Sequence, residues 1–245
     1  IFTYSNCICS ISFIPQIPLF LMNGNIVGSG AAGFDNIVDG ANIYNSNVLT
    51  LDAVNVSGGK ASSESYSATT IGTSGKYGGN IYNTGAGNLT INDSTISGGI
   101  AYRGGNLYAV GTITVNDSLV TGGHANRGGN IGVSSGTVYL NDSQVVDGLG
   151  SWDARNIFCT NRSAYVYVNG STISGTGKNT SVRLQYGNLV MYSGAIDSGT
   201  GDALTISGTS SSPISTVVIY DGSITGQHTI HAVVEIGTIA YSSNY

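Results

Sequence analysis

The sequence predicts an all-β solenoid, one domain built as a stack of about seven to eight coils of roughly 25 residues. Two markers in step with each other carry this expectation. Asparagine follows a glycine pair at Gly78-Gly79-Asn80, Gly104-Gly105-Asn106 and Gly128-Gly129-Asn130, and Asn156 continues the series, at spacings of 26, 24 and 26 residues. Asn92-Asp93-Ser94, Asn116-Asp117-Ser118, Asn141-Asp142-Ser143 and Asn169-Gly170-Ser171 keep nearly the same beat, at 24, 25 and 28. Composition is the third observation. Glycine supplies 37 of 245 residues, charged residues only 9% and hydrophobic residues 40%, with Ile, Val, Thr and Tyr prominent. That balance favours pleated strands over helix and over disorder.

From the N-terminus, residues 1–24 read as an apolar capping or docking segment. Its run Ile11 to Leu21 is interrupted by Pro15 and Pro18 and is too short to span a bilayer. It lacks the basic start of a signal peptide, and the chain opens on Ile1, so the sequence reads as a processed product or a fragment. Residues 25–245 read as the solenoid. Alternating slots recur at Leu49-Thr50-Leu51, Leu89-Thr90-Ile91, Ile113-Thr114-Val115, Val138-Tyr139-Leu140, Val166-Tyr167-Val168, Leu189-Val190-Met191 and Val217-Val218-Ile219. In each, the first and third residues point inward. Short strands opening on Asn-Ile or Asn-Leu, and others near Thr95-Ile96-Ser97, complete a coil. The Ser/Thr/Gly-rich stretch 58–77 lengthens one unit to 38 residues between Asn42 and Asn80 and reads as a loop insertion. Near the C-terminus, Val233 to Ile239 still reads as strand, with no polar cap after it. Open coil ends of this kind predict head-to-tail assembly.

Stacked coils bring like residues together. Asn80, Asn106, Asn130 and Asn156 are expected to form a ladder bonded through side-chain amides, with the glycines making the bends before it. The chain then resembles the right-handed parallel β-helix family of pectate-lyase-like fold. Its Gly-Gly-Asn-Ile-Tyr and Asn-Asp-Ser-Thr-Ile-Ser-Gly-Gly units are similar to repeats of bacterial adhesins and polymorphic outer-membrane passenger domains. The resemblance covers about Asn25 to Ile239. It implies a right-handed coil and a cell-surface setting.

Charge excludes one partner class. With net charge −5 and eight Lys and Arg, the chain has no basic footprint for nucleic acid. Three cysteines leave at least one unpaired within the monomer. Cys7 and Cys9 are poorly placed to bridge each other, and Cys159 either pairs with one of them or is a buried thiol.

Asp93, Asp117 and Asp142 fall one per coil, spaced about 5 Å apart. Aligned carboxylates suit calcium or glycoside cleavage, but Asn-Asp-Ser is also turn chemistry, since Asx side chains bond their own backbone. Galacturonases of the resembling fold carry Gly-His-Gly and Arg-x-Lys, and neither occurs; Gly122-Gly123-His124 is a partial echo. The sequence therefore offers no catalytic constellation, no cofactor motif and no metal-ligand pattern. Arg103, Arg127 and Arg155 read as grips for an acidic sugar or as solvated turns. Tyr44, Tyr82, Tyr108 and Phe158 form an aromatic column expected to point outward, either to bind sugars or to stack on itself. Sequons at Asn55, Asn88, Asn92, Asn116, Asn141, Asn161, Asn169 and Asn179 are candidate glycosylation sites. Threonines at 50, 90 and 114 begin an outward column that Tyr139 interrupts, short for an ice-binding face.

The resulting expectation is an extracellular or cell-surface, non-enzymatic structural protein. It would be adhesive or filament-forming, with itself and carbohydrate as partners. The alternatives are a polysaccharide lyase or glycoside hydrolase and an ice-binding protein.

Overall fold

The structure, a computed structural model, describes residues 4–5, 19–28, 39–61, 76–175, 177–208, 215–232 and 238–241. Among these the chain forms 28 strands and no helix, in parallel sheets of 16, 8 and 4 strands. No helix is long and apolar enough to cross a membrane. The molecule is a parallel β-solenoid of about seven turns, each near 26 residues, as the repeat demands.

One middle coil shows how sequence makes the unit. After Gly78-Gly79-Asn80 the chain runs as strand at Ile81–Asn83, turns, and runs again at Asn88–Asn92. It bends at Asp93, continues at Thr95–Ser97, turns at Gly98-Gly99, and closes with Ile100–Arg103. Every strand pairs in register with its equivalent one coil away. Leu89 lies against Ile113, Ile113 against Val138, and Val138 against Val166. All seven alternating slots expected from the sequence are strands of the largest sheet.

Period-two alternation fills the interior with continuous aliphatic columns. Leu51, Ile91, Val115, Leu140, Val168, Met191 and Ile219 are one of them, and all are buried. Each such side chain contributes about 1.5–3 kcal/mol through burial. Another inward column starts polar, at Asn45 and Asn83, and becomes apolar at Ala109, Val133, Cys159, Leu184 and Ile206. Asn45 Nδ2 donates to Asn83 Oδ1 at 2.7 Å, and Asn83 Nδ2 donates to the Thr112 and Gly87 carbonyls, which settles the polar start.

Cys159 is a free, fully buried thiol. Burial pushes it up to about 12, against an ordinary 9.0. Iodoacetamide at pH 9 should leave it unmodified in the folded protein and alkylate it after denaturation, as read by mass spectrometry. Because the unfolded thiol ionises near 9.0 and the folded one near 12, the fold favours the neutral form. Its contribution is complete below pH 9 and is lost as pH rises toward 12.

At the N-terminal side, Leu19–Val27 is a strand pairing with Val48–Ser57, so the stack extends across the expected boundary at 24/25. Phe20 and Met22 are exposed on its outer side, while Leu19 and Leu21 pack against the core. Residues 11–18, Cys7, Cys9, the loop stretch 62–75 and residues 233–237 lie outside the described residues. Thr238–Tyr241 pairs with Thr216–Ile219.

Candidate functional site

Three hydrogen-bonded ladders fix the surface on which function must be sought. The inner one is the expected asparagine column, and it runs further than the four residues that define it. Asn42 donates to Asn80, Asn80 to Asn106, Asn106 to Asn130 and Asn130 to Asn156, each through Nδ2 to Oδ1 at 2.8–2.9 Å. Asn156 Nδ2 ends the series on Ser181 Oγ. Each amide is otherwise satisfied by the bend beside it. Asn106, for example, also donates to the Thr121 carbonyl and accepts from Gly99 N–H. The glycine pairs are required sterically: the first, as at Gly104, adopts φ +62, and a Cβ on the second, Gly105, would meet the Gly129 carbonyl oxygen at 2.1 Å.

A second ladder uses the serines of the Asn-Asp-Ser marker. Ser94, Ser118, Ser143 and Ser171 each accept a backbone N–H from the coil before and donate to the carbonyl two residues back. Between marker Asn and Ser, Asp93, Asp117 and Asp142 take φ of 45, 48 and 47 and are exposed. Ala53 and Gly170 occupy the equivalent places with φ 52 and 64. The aspartates thus form left-handed turns, a conformation that Asp tolerates better than most residues. Asp117→Gly should retain stability within about 0.5 kcal/mol, because glycine takes this φ without strain; urea denaturation provides the check.

The third ladder is external. Asn141 donates to Asn116 and Asn116 to Asn92, both at 2.8 Å. Alternation places these sequons on the outside as expected, but a ladder bond already occupies the amide nitrogens of Asn116 and Asn141. Asn55 and Asn179 also use theirs, on Asn25 Oδ1 and the Gly150 carbonyl. Asn88, Asn161 and Asn169 are exposed.

The expected aromatic column changes character along the stack. Tyr44 is 42% exposed and stacks on Tyr82 at 5.3 Å, which stacks on Tyr108 at 5.6 Å. Tyr108, however, is 4% exposed and Phe158 fully buried, which corrects the expectation of an exposed ring at both. Tyr77 lies over Tyr108 at 4.6 Å, and the Arg127 guanidinium covers the Phe158 ring at 5.3 Å. Arg127 is held there by Asp153, which Arg183 also contacts. Arg103 lies over Tyr77 and Tyr102. Arg127 is therefore a lid over a ring tethered through Asp153, and Arg103 lies partly buried over two rings, so neither sits on a solvated turn. Arg155 is partly buried, and burial lowers its affinity for a proton despite Asp147 nearby. His124 is likewise buried and its protonated form disfavoured.

Among the described residues the largest exposed aromatic array lies elsewhere, on the outer face of the 16-stranded sheet. Tyr139, Tyr165, Tyr167, Tyr192 and Tyr220 come from four successive coils. Tyr139 and Tyr167 stack at 4.9 Å, Tyr165 and Tyr167 at 6.1 Å, Tyr167 and Tyr192 at 6.4 Å, and Tyr192 and Tyr220 at 5.3 Å. Interplanar angles stay within 8–13°. With rings facing one another along the stack, their edges and hydroxyls are left to solvent; Tyr192, at 49%, is the most exposed. Towards the N-terminus the same face continues with Thr50, Thr90 and Thr114 in register beside Asn92 and Asn116.

No known protein family, curated protein or solved structure matches the chain. The site is therefore read from its own chemistry.

A separate cluster lies near the C-terminal end of the stack. Asp202 Oδ1 accepts from His228 Nδ1 and Oδ2 from His231 Nδ1, each at 2.7 Å. Burial acts to raise the Asp202 carboxyl, but the two histidine hydrogen bonds outweigh it and hold it below the usual range. Sequence reasoning missed this cluster. Its only signal is that Asp202 precedes His228 by 26 residues, one coil, in a region where the glycine-asparagine marker is gone.

Proposed function

We propose that the chain is an extracellular, non-enzymatic structural rod, a surface or filament-forming element whose contacts run along its tyrosine-bearing outer face. The stacked array Tyr139, Tyr165, Tyr167, Tyr192 and Tyr220 carries this reading. Five phenols from four successive coils, stacked on one another over a filled core, form a rigid surface that needs no ordering on binding. Their hydroxyls, with the Asn and Thr columns beside them, repeat once per coil. A second copy laid alongside offers the same period, so contacts made at one coil can recur at the next. Charge opposes such packing little, since only 9% of residues are charged. The low charge and eight sequons support an extracellular setting, as does the resemblance of the repeats to adhesin passenger units, which also brings a right-handed coil.

Electron microscopy with sedimentation across a concentration series tests the reading on wild type and on Tyr139→Ser/Tyr192→Ser. Filaments or lateral bundles in wild type, reduced in the variant, are expected. Monomers that co-sediment with insoluble polysaccharide through the same tyrosines would move the function to sugar adhesion. Monomers that do neither would overturn the proposal. Polysaccharide cleavage abolished by Asp117→Asn would instead establish the enzyme reading.

A further inference from the structure

We propose that Asp202, His228 and His231 form a binding site for a divalent transition metal of the zinc class, which staples the last described turn of the 8-stranded sheet to the turn before it. The two histidines lie on Ile230–Ala232 and the bend leading into it, and Asp202 stands two residues before Leu204–Ser207, the strand with which Ile230–Ala232 pairs. One ligand atom from each residue falls within 4.8 Å of the others. Two imidazoles and a carboxylate suit zinc and its neighbours, whereas calcium and magnesium select oxygen.

In a tetrahedral site with Zn–N near 2.0–2.1 Å the two imidazole nitrogens stand about 3.3 Å apart. Reaching that spacing takes a shift of no more than about 1.5 Å, within reach of side-chain rotation. Both rings are free to make it, with side chains 60% and 50% exposed. A metal ion would replace the two protons now shared with Asp202 and leave a fourth position for water or an outside ligand.

The location gives such a staple a purpose. Inward packing thins out there: Ile224 and Ile230 are only partly buried, and the bend Gln227-His228-Thr229 is exposed. Elsewhere the asparagine and serine ladders tie coil to coil, but both have ended before Asp202. Asp202 and the two histidines supply a cross-coil link where those are missing.

The remaining histidine, His124, and Cys159 are both buried and so do not compete. Cys7 and Cys9 are replaced by serine in all proteins tested, so that a thiol pair cannot supply the binding. Metal-free protein is titrated with zinc chloride by calorimetry, and hydrogen exchange of residues 221–232 is followed with and without zinc. One equivalent of zinc, slower exchange in that segment and no binding of calcium are expected. Affinity should fall at least about tenfold in Asp202→Asn, and more in His228→Gln/His231→Gln, whose exposed side chains can change without loss of the fold. Absence of zinc binding, or binding unchanged in the histidine variant, would overturn the proposal. Zinc binding that leaves exchange of 221–232 unaltered would overturn the staple.

Discussion

Replacing Asn106 by alanine is expected to destabilise the protein by on the order of 4 kcal/mol, seen as a lower urea midpoint at unchanged slope. The fully buried amide serves four partners: Asn80 Nδ2, Gly99 N–H, the Thr121 carbonyl and Asn130 Oδ1. Each group left without a partner costs about 1–3 kcal/mol. Water entering the space vacated in the alanine variant offsets part of that loss. Asn106→Leu fills the space and excludes the water, so it should be the more damaging change although it is closer in size. Asn106→Asp retains the acceptor but removes two donors and buries a charge, and should be at least as harmful as alanine. On the outer ladder, where water substitutes readily, Asn141→Ala should cost less than about 1 kcal/mol. Equal effects at 106 and 141 would show that the inner ladder is not what holds the coils.

Gly105→Ala should be worse still, above about 4 kcal/mol, with loss of cooperative unfolding in the surrounding coils. Its backbone conformation is open to any residue, so the cost is purely steric. The added methyl would stand 2.1 Å from the Gly129 carbonyl oxygen and 2.4 Å from the His124 nitrogen, both backbone atoms and both in the next coil. Only separation of the two coils makes room, and that breaks the 3.2 Å bond from Gly105 N to the Gly128 carbonyl and the 3.0 Å bond from Asn106 N to the Asn130 carbonyl. Gly85 is the control, since a Cβ there meets nothing nearer than a Val110 methyl at 3.8 Å. Gly85→Ala should stay within about 0.5 kcal/mol of wild type. Hydrogen exchange in Gly123–Asn130 separates local from global damage.

The coil period was legible because one chemical need recurs at one spacing. A tight bend demands glycine and a buried amide demands its like above and below, so Gly-Gly-Asn repeats where a free surface would drift. The serine ladder was present in the same markers, but Ser94, Ser118 and Ser143 read as turn residues until register showed each hydroxyl meeting the coil before it. Burial of Phe158 could not be read from the sequence. Alternation turned the ring outward correctly, but the cover comes from Arg127 and Asp153, 31 and 5 residues away in the chain. The outer tyrosines were visible singly; their union into one array depends on the exact length of the irregular later coils, where Tyr192 takes the place in register that Asn169 holds one coil earlier.

The inner ladder also has a direction. At each of its four steps from Asn42 to Asn156 the amide nitrogen donates toward the C-terminal end to the oxygen of the next asparagine. The amide dipoles therefore add along the rod axis and polarise one another, as aligned peptide groups do in a helix. The Asn141 to Asn92 series on the outside points the opposite way, but it is shorter and lies in water, where its field is screened. What remains is an electrically polar rod, with partial positive charge toward the C-terminal end and partial negative charge toward the N-terminal end. Two such rods side by side lower their electrostatic energy when antiparallel, whereas end to end they do so head to tail.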